Sequence, residues 1–343
     1  MIKALLQQGF ILKEKGYYKR AVEFFYKALE EDNSSVELHL EIAECYYLIK
    51  DEERALNYIE QSLEKQPTHI GSLKLLKQIF IDKNALEEAE QTAKNIYCIS
   101  KEPDDLAEIF KLLNKQQRYS EIFTYHTDEN TASLLYEKAF AKFYLKEIAE
   151  AEKYINQALE LEFDNKKLLL KGKILYLLNR IDECLDIANQ MKLPTENPEE
   201  YNFVGVIKQC ECEFENAISC FKEAIRLDSS NDEYYYNCAS TYFKLGDLQQ
   251  AKKYYNLAIS ISPENQNYHF ALANLYYSEK HYKRAMEELD YDFFEAKLLK
   301  AIILYDSGYL AIAKKELDKL AQEQPDNDLI IDYCQKIEEE LKI

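Results

Sequence analysis

The sequence runs to 343 residues, with 43 Lys and Arg against 62 Asp and Glu and a formal charge of −19. Such a surface repels phosphate backbones and anionic headgroups, so neither nucleic acid nor a membrane is the expected partner, and no apolar run of about 18 residues is present to span a bilayer. Apolar residues make up 47%, enough for a continuous core, while 7 Gly and 6 Pro fit a chain that is helical throughout with few long loops. Eight cysteines are scattered rather than set at framework spacings, which predicts free thiols and a reducing, cytoplasmic setting.

The opening stretch, MIKALLQQGFILKEKGYYKRAVEFF, is amphipathic at helical spacing and lacks the unbroken apolar core and cleavage site of a secretory signal. From there one pattern recurs: two amphipathic helices, a break between them, and a small residue early in the second. Ala21, Ala55, Ala89, Ile122, Ala151, Cys184, Ala217, Ala251, Ala285 and Ala313 mark that place, spaced 34, 34, 33, 29, 33, 33, 34, 34 and 28 residues apart. A period held this closely predicts ten stacked helix pairs rather than globular domains. Small residues recur in the first helices too, at Gly9, Ala43, Ala139, Gly172, Gly205, Ala239, Ala273 and Ala301. A further set, Ala28, Ser62, Ala158, Ala224 and Ala258, lies deeper in the second helices. Slim side chains there let two backbones approach. Gly16, Gly246 and Gly308 fall between paired helices, where a left-handed conformation is easiest for glycine, and Pro67, Pro263 and Pro325 end pairs.

The clearest copy is Tyr234–Pro263, where Ala239, Ala251 and Ala258 mark the contact and Tyr242, Leu245, Leu248 and Tyr255 are expected to fill the space around it. Pairs three and four, roughly Ile70–Tyr125, are degenerate, with Lys77 and Phe110 at the small site. The fourth has room only for a short second helix at Ile122–Tyr125 before the polar stretch His126–Thr131, and Asp290–Phe294 cuts the ninth short. Changes of curvature are expected at both places. Residues 326–343 read as a final helix with Leu329, Ile330, Tyr333, Ile337 and Leu341 on its inner face.

This pattern resembles the tetratricopeptide repeat, a helix-turn-helix unit of about 34 residues, most strongly over Pro198–Tyr282 and least over Gly71–Asn130. The resemblance implies an all-α fold, a right-handed superhelical solenoid of about ten repeats with a C-terminal capping helix. Residues 1–343 would form one array: amino-terminal repeats over 1–125, carboxy-terminal repeats over 131–325, and the cap over 326–343. It also implies a concave wall of first helices that binds a polypeptide.

Catalytic signatures are absent from the sequence: there is no G-x-G-x-x-G, G-x-x-x-x-G-K-[ST], H-E-x-x-H or G-x-S-x-G. The cluster Cys210, Cys212 and Cys220 has no nearby histidine and not the C-x-x-C spacing of structural zinc sites, while Cys184, Cys45 and Cys238 stand at or near small sites and read as apolar filler. His39 and His269 occupy equivalent places seven repeats apart and read as packing residues. No metal, cofactor or enzymatic activity is expected.

Binding residues are sought on the first helices. Four residues after the small site stand Tyr47, Phe143, Tyr176, Phe243, Tyr277 and Tyr305; three before it stand Tyr136, Tyr236 and Phe270. The two positions are seven apart and share a helical face. These rings either pack between adjacent helices or anchor a bound polypeptide. By the resemblance, Asn237 and Asn274 would hydrogen-bond a ligand backbone. The family's clamp for chaperone tails pairs a lysine with an asparagine; here Lys74 is followed by Gln78, which disfavours that ligand. Glu37, Glu41, Glu44, Asp82 and Glu137 would suit a basic one. The expected function is a non-catalytic scaffold or adaptor for protein–protein interaction, whose partner is a protein or peptide of basic or apolar character. The alternatives are a peptide-responsive regulator or an accessory subunit of an enzyme complex.

Overall fold

The computed structural model describes residues 2–127 and 129–341. Met1, Asp128 of the polar stretch, and Lys342 and Ile343 of the expected cap lie outside the described residues. Among the described residues there is helix and no strand.

Contacts divide the chain into two units, Met1–Leu178 and Asn179–Ile343. The first holds α1 (Ile2–Glu14), α2 (Tyr18–Glu31), α3 (Val36–Leu48), α4 (Glu52–Lys65), α5 (Ile70–Asp82), α6 (Leu86–Ser100) and α7 (Pro103–Lys115). A 3-10 helix (Tyr119–Thr124), α8 (Ala132–Tyr144), α9 (Ile148–Leu161) and α10 (Asn165–Leu177) complete it. The second holds α11 (Ile181–Gln190), α12 (Pro198–Cys210), α13 (Phe214–Leu227), α14 (Asp232–Leu245) and α15 (Leu248–Ile261). It continues through α16 (Gln266–Ser278), α17 (Tyr282–Glu288), α18 (Phe294–Asp306), α19 (Leu310–Glu323) and α20 (Asp328–Leu341). Within each unit, every second helix packs on the next first helix, and every one but α11 on its own first helix. Successive first helices also touch, as α3 does α5, α8 does α10, and α14 does α12 and α16.

The ends of these helices are written in the chain. Ser35, Asp51, Thr131, Asp164 and Asp247 each accept a hydrogen bond from the backbone N–H three residues on, which satisfies a donor the first turn leaves free. Ten residues adopt φ between 56° and 88° in the turns between paired helices: Gly16, Lys50, Asn84, Gln117, Lys146, Asn179, Cys212, Gly246, Lys280 and Gly308. Each precedes the small residue of its second helix by five. The residue after each closes the turn where a long reverse bond forms, as from Asp51 N to Tyr46 O (2.9 Å) and His281 N to Tyr276 O (2.8 Å). Glycine marks only three of the ten, so the sequence shows a fraction of a device that the fold uses throughout.

An L-residue in the left-handed region is strained, and glycine relieves that strain at some cost in unfolded-chain entropy. Lys280→Gly is therefore expected to raise stability by about 0.5–1 kcal/mol, and Gly246→Ala to lower it by a similar amount. Urea midpoints of the two variants check this, and movement in the same direction would refute it.

All ten recurring small positions of the second helices are fully buried, Ile122 and Cys184 included. In the first helices Gly9, Gly172 and Gly205 are buried, and Ala43, Ala139, Ala239, Ala273 and Ala301 have no exposed surface. In the clearest copy, Tyr242 and Tyr255 are buried and Leu248 is half-buried. Leu245 instead faces solvent at 41% exposure, because it ends α14 where the turn leaves nothing to cover it.

The degenerate repeats are repaired locally. Phe110 is fully buried with its ring edge-on to Tyr125 (5.6 Å), filling room that a full second helix would take. Lys77 is buried and pairs with Glu108 at 3.1 Å. The fourth repeat has only the 3-10 helix, and the ninth only the seven-residue α17. The sixth is also shortened, which the sequence reading missed: α11 spans 10 residues, and a non-helical segment then runs to Asn197. On α20, Ile330 and Ile337 are buried and Tyr333 half-buried, but Leu329 and Leu341 are 45% and 54% exposed. Among the described residues the cap packs mainly against α19 and α18, so its buried stripe is narrower than expected.

Candidate functional site

In the first unit Tyr47 is half-buried, donates from its hydroxyl to Asp82 Oδ2 (2.6 Å) and has Lys50 over its ring. Tyr136 is buried at 9% exposure, with Lys166 Nζ 4.0 Å from its ring centre. Phe143 is half-buried beside Tyr144, and Tyr176 is 49% exposed. In the second unit Tyr236 stacks on Tyr268 at 5.0 Å, Phe270 meets Phe293 edge-on at 5.4 Å, and Phe243 is half-buried on the same core. Tyr277 donates to Asp306 Oδ2 (2.6 Å), while Tyr305 donates to Glu340 and meets Tyr333 edge-on. Asp306 follows Tyr305, so these contacts draw Tyr277 and Tyr305 together. Eight of the nine rings thus keep some surface, and all but the exposed Tyr176 pack on a hydrophobic core.

The asparagines are partly engaged. Asn237 Nδ2 donates to Asn202 Oδ1 across repeats (2.9 Å), and Asn274 Nδ2 donates to the Phe270 carbonyl of its own helix (2.9 Å). The carboxylates offered for a basic ligand are largely matched from within. Lys13 sits between Glu41 (2.6 Å) and Glu44, and Asp82 accepts from Tyr47 and Gln78. Glu137 is buried, accepts from Asn114 and pairs with Lys166; burial pushes its carboxyl up, against the pull of that hydrogen bond and that lysine. Of the five, Glu37 and Asp82 are exposed, and Asp82 already accepts the two hydrogen bonds above.

One element of the face escaped the sequence reading. A tyrosine four residues after the small site donates to an acid five residues after the next one, as Tyr47 does to Asp82 and Tyr277 to Asp306. The signal was present as a Tyr-to-Asp spacing across consecutive repeats. A cleft of about 550 Å³ in the first unit was also missed; it is walled by paired charges, Lys77 with Glu108 and Lys74 with Asp105 among them.

The histidines and cysteines have ordinary surroundings. His39 is buried with Nδ1 2.6 Å from the Ser35 carbonyl, and His269 lies between the Glu288 carboxylate and the Pro263 carbonyl. Cys45, Cys184 and Cys238 are buried, and burial pushes the Cys238 thiol up to about 12 and the Cys45 thiol to about 11. Cys210 and Cys212 are exposed. No helix among the described residues is long and apolar enough to cross a membrane.

Profiles described as TPR repeat or tetratricopeptide repeat match residues 12–74, 132–165, 213–246 and 232–265. A TPR repeat-containing protein of Methanocaldococcus jannaschii is 24% identical over 313 residues, covering 81% of this chain and 53% of that protein. The chain thus spans about half the length of this curated relative. Among solved structures, the matched chain of the APC/C hetero-tetramer Cut9-Hcn1 superposes with a TM-score of 0.58 at 12% identity, over 98% of this chain and 76% of its own. A tetratricopeptide repeat protein from Parabacteroides merdae gives a TM-score of 0.47 at 16% identity, over 78% of this chain and 98% of its own. With small residues buried at a period near 34, hairpins stacked through each unit and family profiles matching these four stretches, the chain is built of tetratricopeptide repeats.

Proposed function

We propose that this chain is a non-catalytic interaction scaffold that holds a polypeptide segment of apolar and basic side chains against its first helices. Repeats of this family serve protein interaction in general; the particular face and ligand are the finer reading. The observation that carries it is the half-open state of the rings. Tyr236, Phe243, Phe270, Tyr277 and Tyr305 are fixed on one flank by neighbouring helices yet keep accessible surface. Rigid aromatics with a free edge lose little entropy when they bury a ligand side chain. The acidic chain disfavours acidic segments by long-range repulsion.

The test selects peptides from a random displayed library on the intact chain and measures them again on a variant with Phe243→Ala, Tyr277→Ala and Tyr305→Ala. All three side chains are half-buried rather than core, so helicity by circular dichroism is expected to persist. Affinity is expected to fall at least about tenfold. Selected peptides that bind the folded variant as well as the parent would place the site elsewhere.

A further inference from the structure

A recess of about 190 Å³ lies in the first unit where α7, α8 and α10 meet. Its inner wall carries Asn114, 94% buried, on α7. The Asn114 amide nitrogen donates both to the Glu137 carboxylate (2.7 Å) and to the Glu137 main-chain carbonyl (3.0 Å), which fixes the orientation of the amide. That leaves Oδ1 as a buried acceptor with no hydrogen-bond partner among the described residues. An acceptor so placed costs folding free energy until a donor reaches it.

The recess already shows what kind of group it accepts. Lys166 of α10 reaches in, its Nζ 4.0 Å from the centre of the Tyr136 ring and 3.6 Å from Glu137 Oε1. An aromatic face and a buried carboxylate around one ammonium form a cation site filled from within the chain. The occupant is loosely held: the Lys166 side chain is 58% exposed, whereas that of Glu137 is 8% exposed. Of the other cations at the rim, Lys111 is tied to Glu108 at 3.2 Å and Lys115 faces water.

We propose that the recess of Asn114, Tyr136, Glu137 and Phe140 is a subsite for a basic side chain of the bound polypeptide, arginine before lysine, and that Lys166 occupies it in the free chain. This rests on the reading that the first helices hold a polypeptide. Exchange of one cation for another leaves the local charge unchanged, so the three lysines nearby do not forbid it. A lysine would only repeat the contacts of Lys166. The planar guanidinium can lie on the Tyr136 ring, give one N–H to Glu137 and another to Asn114 Oδ1, and so satisfy the stranded acceptor.

The probe is N-acetyl-arginine amide, read by the Asn114 side-chain amide resonance of the full chain. Saturable shifts are expected with arginine and not with the citrulline analogue, which keeps the shape without the charge, nor with N-acetyl-glutamate amide. Lys166→Ala removes the internal competitor at an exposed position and is expected to tighten arginine binding at least threefold. Glu137→Gln is expected to weaken it about tenfold. Absence of saturation in both the parent and Lys166→Ala overturns the proposal, as does equal binding of citrulline or preference for the glutamate derivative. The probe is a single residue and the recess lies in the other unit from Phe243, Tyr277 and Tyr305. Failure here therefore leaves the peptide result standing, and the reverse holds as well.

Discussion

Gly205→Ala is expected to lower the stability of the chain by about 1–2 kcal/mol, even though alanine is the better helix former by about 1 kcal/mol. A Cβ at Gly205 would stand 2.7 Å from Cε1 of Phe221 and 3.0 Å from its Cδ1. Phe221 has no exposed surface and lies in the core that α13 shares with α12 and α14, so its ring has little room to retreat. The same pair of positions, sixteen residues apart, holds Ala43 with Ile59 and Ala139 with Ile155, while Gly9 lies against Phe25 as Gly205 does against Phe221. In these four pairs glycine stands opposite the ring and alanine opposite the smaller branched chain. The Ala239–Tyr255 pair shows that a ring can clear a Cβ where a neighbour, here Tyr236 at 5.9 Å, takes it up. Phe221→Ile alone leaves a void and is expected to cost about 1–3 kcal/mol. Gly205→Ala with Phe221→Ile rebuilds the pair used in two other repeats and recovers most of both losses. A double-mutant cycle in urea reads this as a coupling of about 2 kcal/mol, and simple additivity would show that the two positions do not answer each other.

Much of this architecture is legible in the sequence, for a physical reason. A repeat that stacks only on its neighbours needs a slim residue wherever two backbones meet, and that demand falls on one position at a time. All ten marked positions of the second helices are buried, and even the shortened fourth and ninth repeats keep theirs in Ile122 and Ala285. What stayed hidden depends on relations between distant residues. Lys50 and Cys212 take a left-handed conformation that their side chains do not advertise, because the reverse hydrogen bonds of the turn impose it. The short α11 was missed because Cys184 kept the period, although Pro194 and the Asn197-Pro198 pair mark residues 191–197 as a break between helices. Of the face itself, the aromatic column was legible from spacing. The stranded oxygen of Asn114 was not, since it arises from a contact with Glu137, 23 residues on.

Arg118→Ala is expected to destabilise the first unit by about 1–3 kcal/mol at neutral pH, between the roughly 0–1 of an exposed ion pair and the roughly 3–5 of a buried one, since Glu90 is buried and Arg118 partly exposed. The fourth repeat lacks a full second helix, and Arg118 stands at the start of the 3-10 segment that replaces it. There it grips Glu121 beside it and Glu90 on α6, joining the substitute segment to the repeat before. Glu90 is buried at 4% exposure and also receives Lys94 (2.6 Å) and the Gln116 amide (2.9 Å). Burial alone would raise its carboxyl, but hydrogen bonds from Lys94 and Gln116 and the charges of Lys94 and Arg118 outweigh burial and hold it below the usual glutamate range. A carboxyl held lower in the folded state stabilises above its unfolded value, near pH 4.3, and that contribution is lost as pH falls through the folded value. The difference between parent and Arg118→Ala is therefore full at pH 7 and closes only as pH falls through the lowered folded value, once Glu90 is protonated with or without its arginine. Urea midpoints of both proteins from pH 7 to pH 3 follow the closure. A difference that stays constant across that range would mean that Arg118 acts through packing of its alkyl stem, and that the shortened repeat is held by something other than this buried charge.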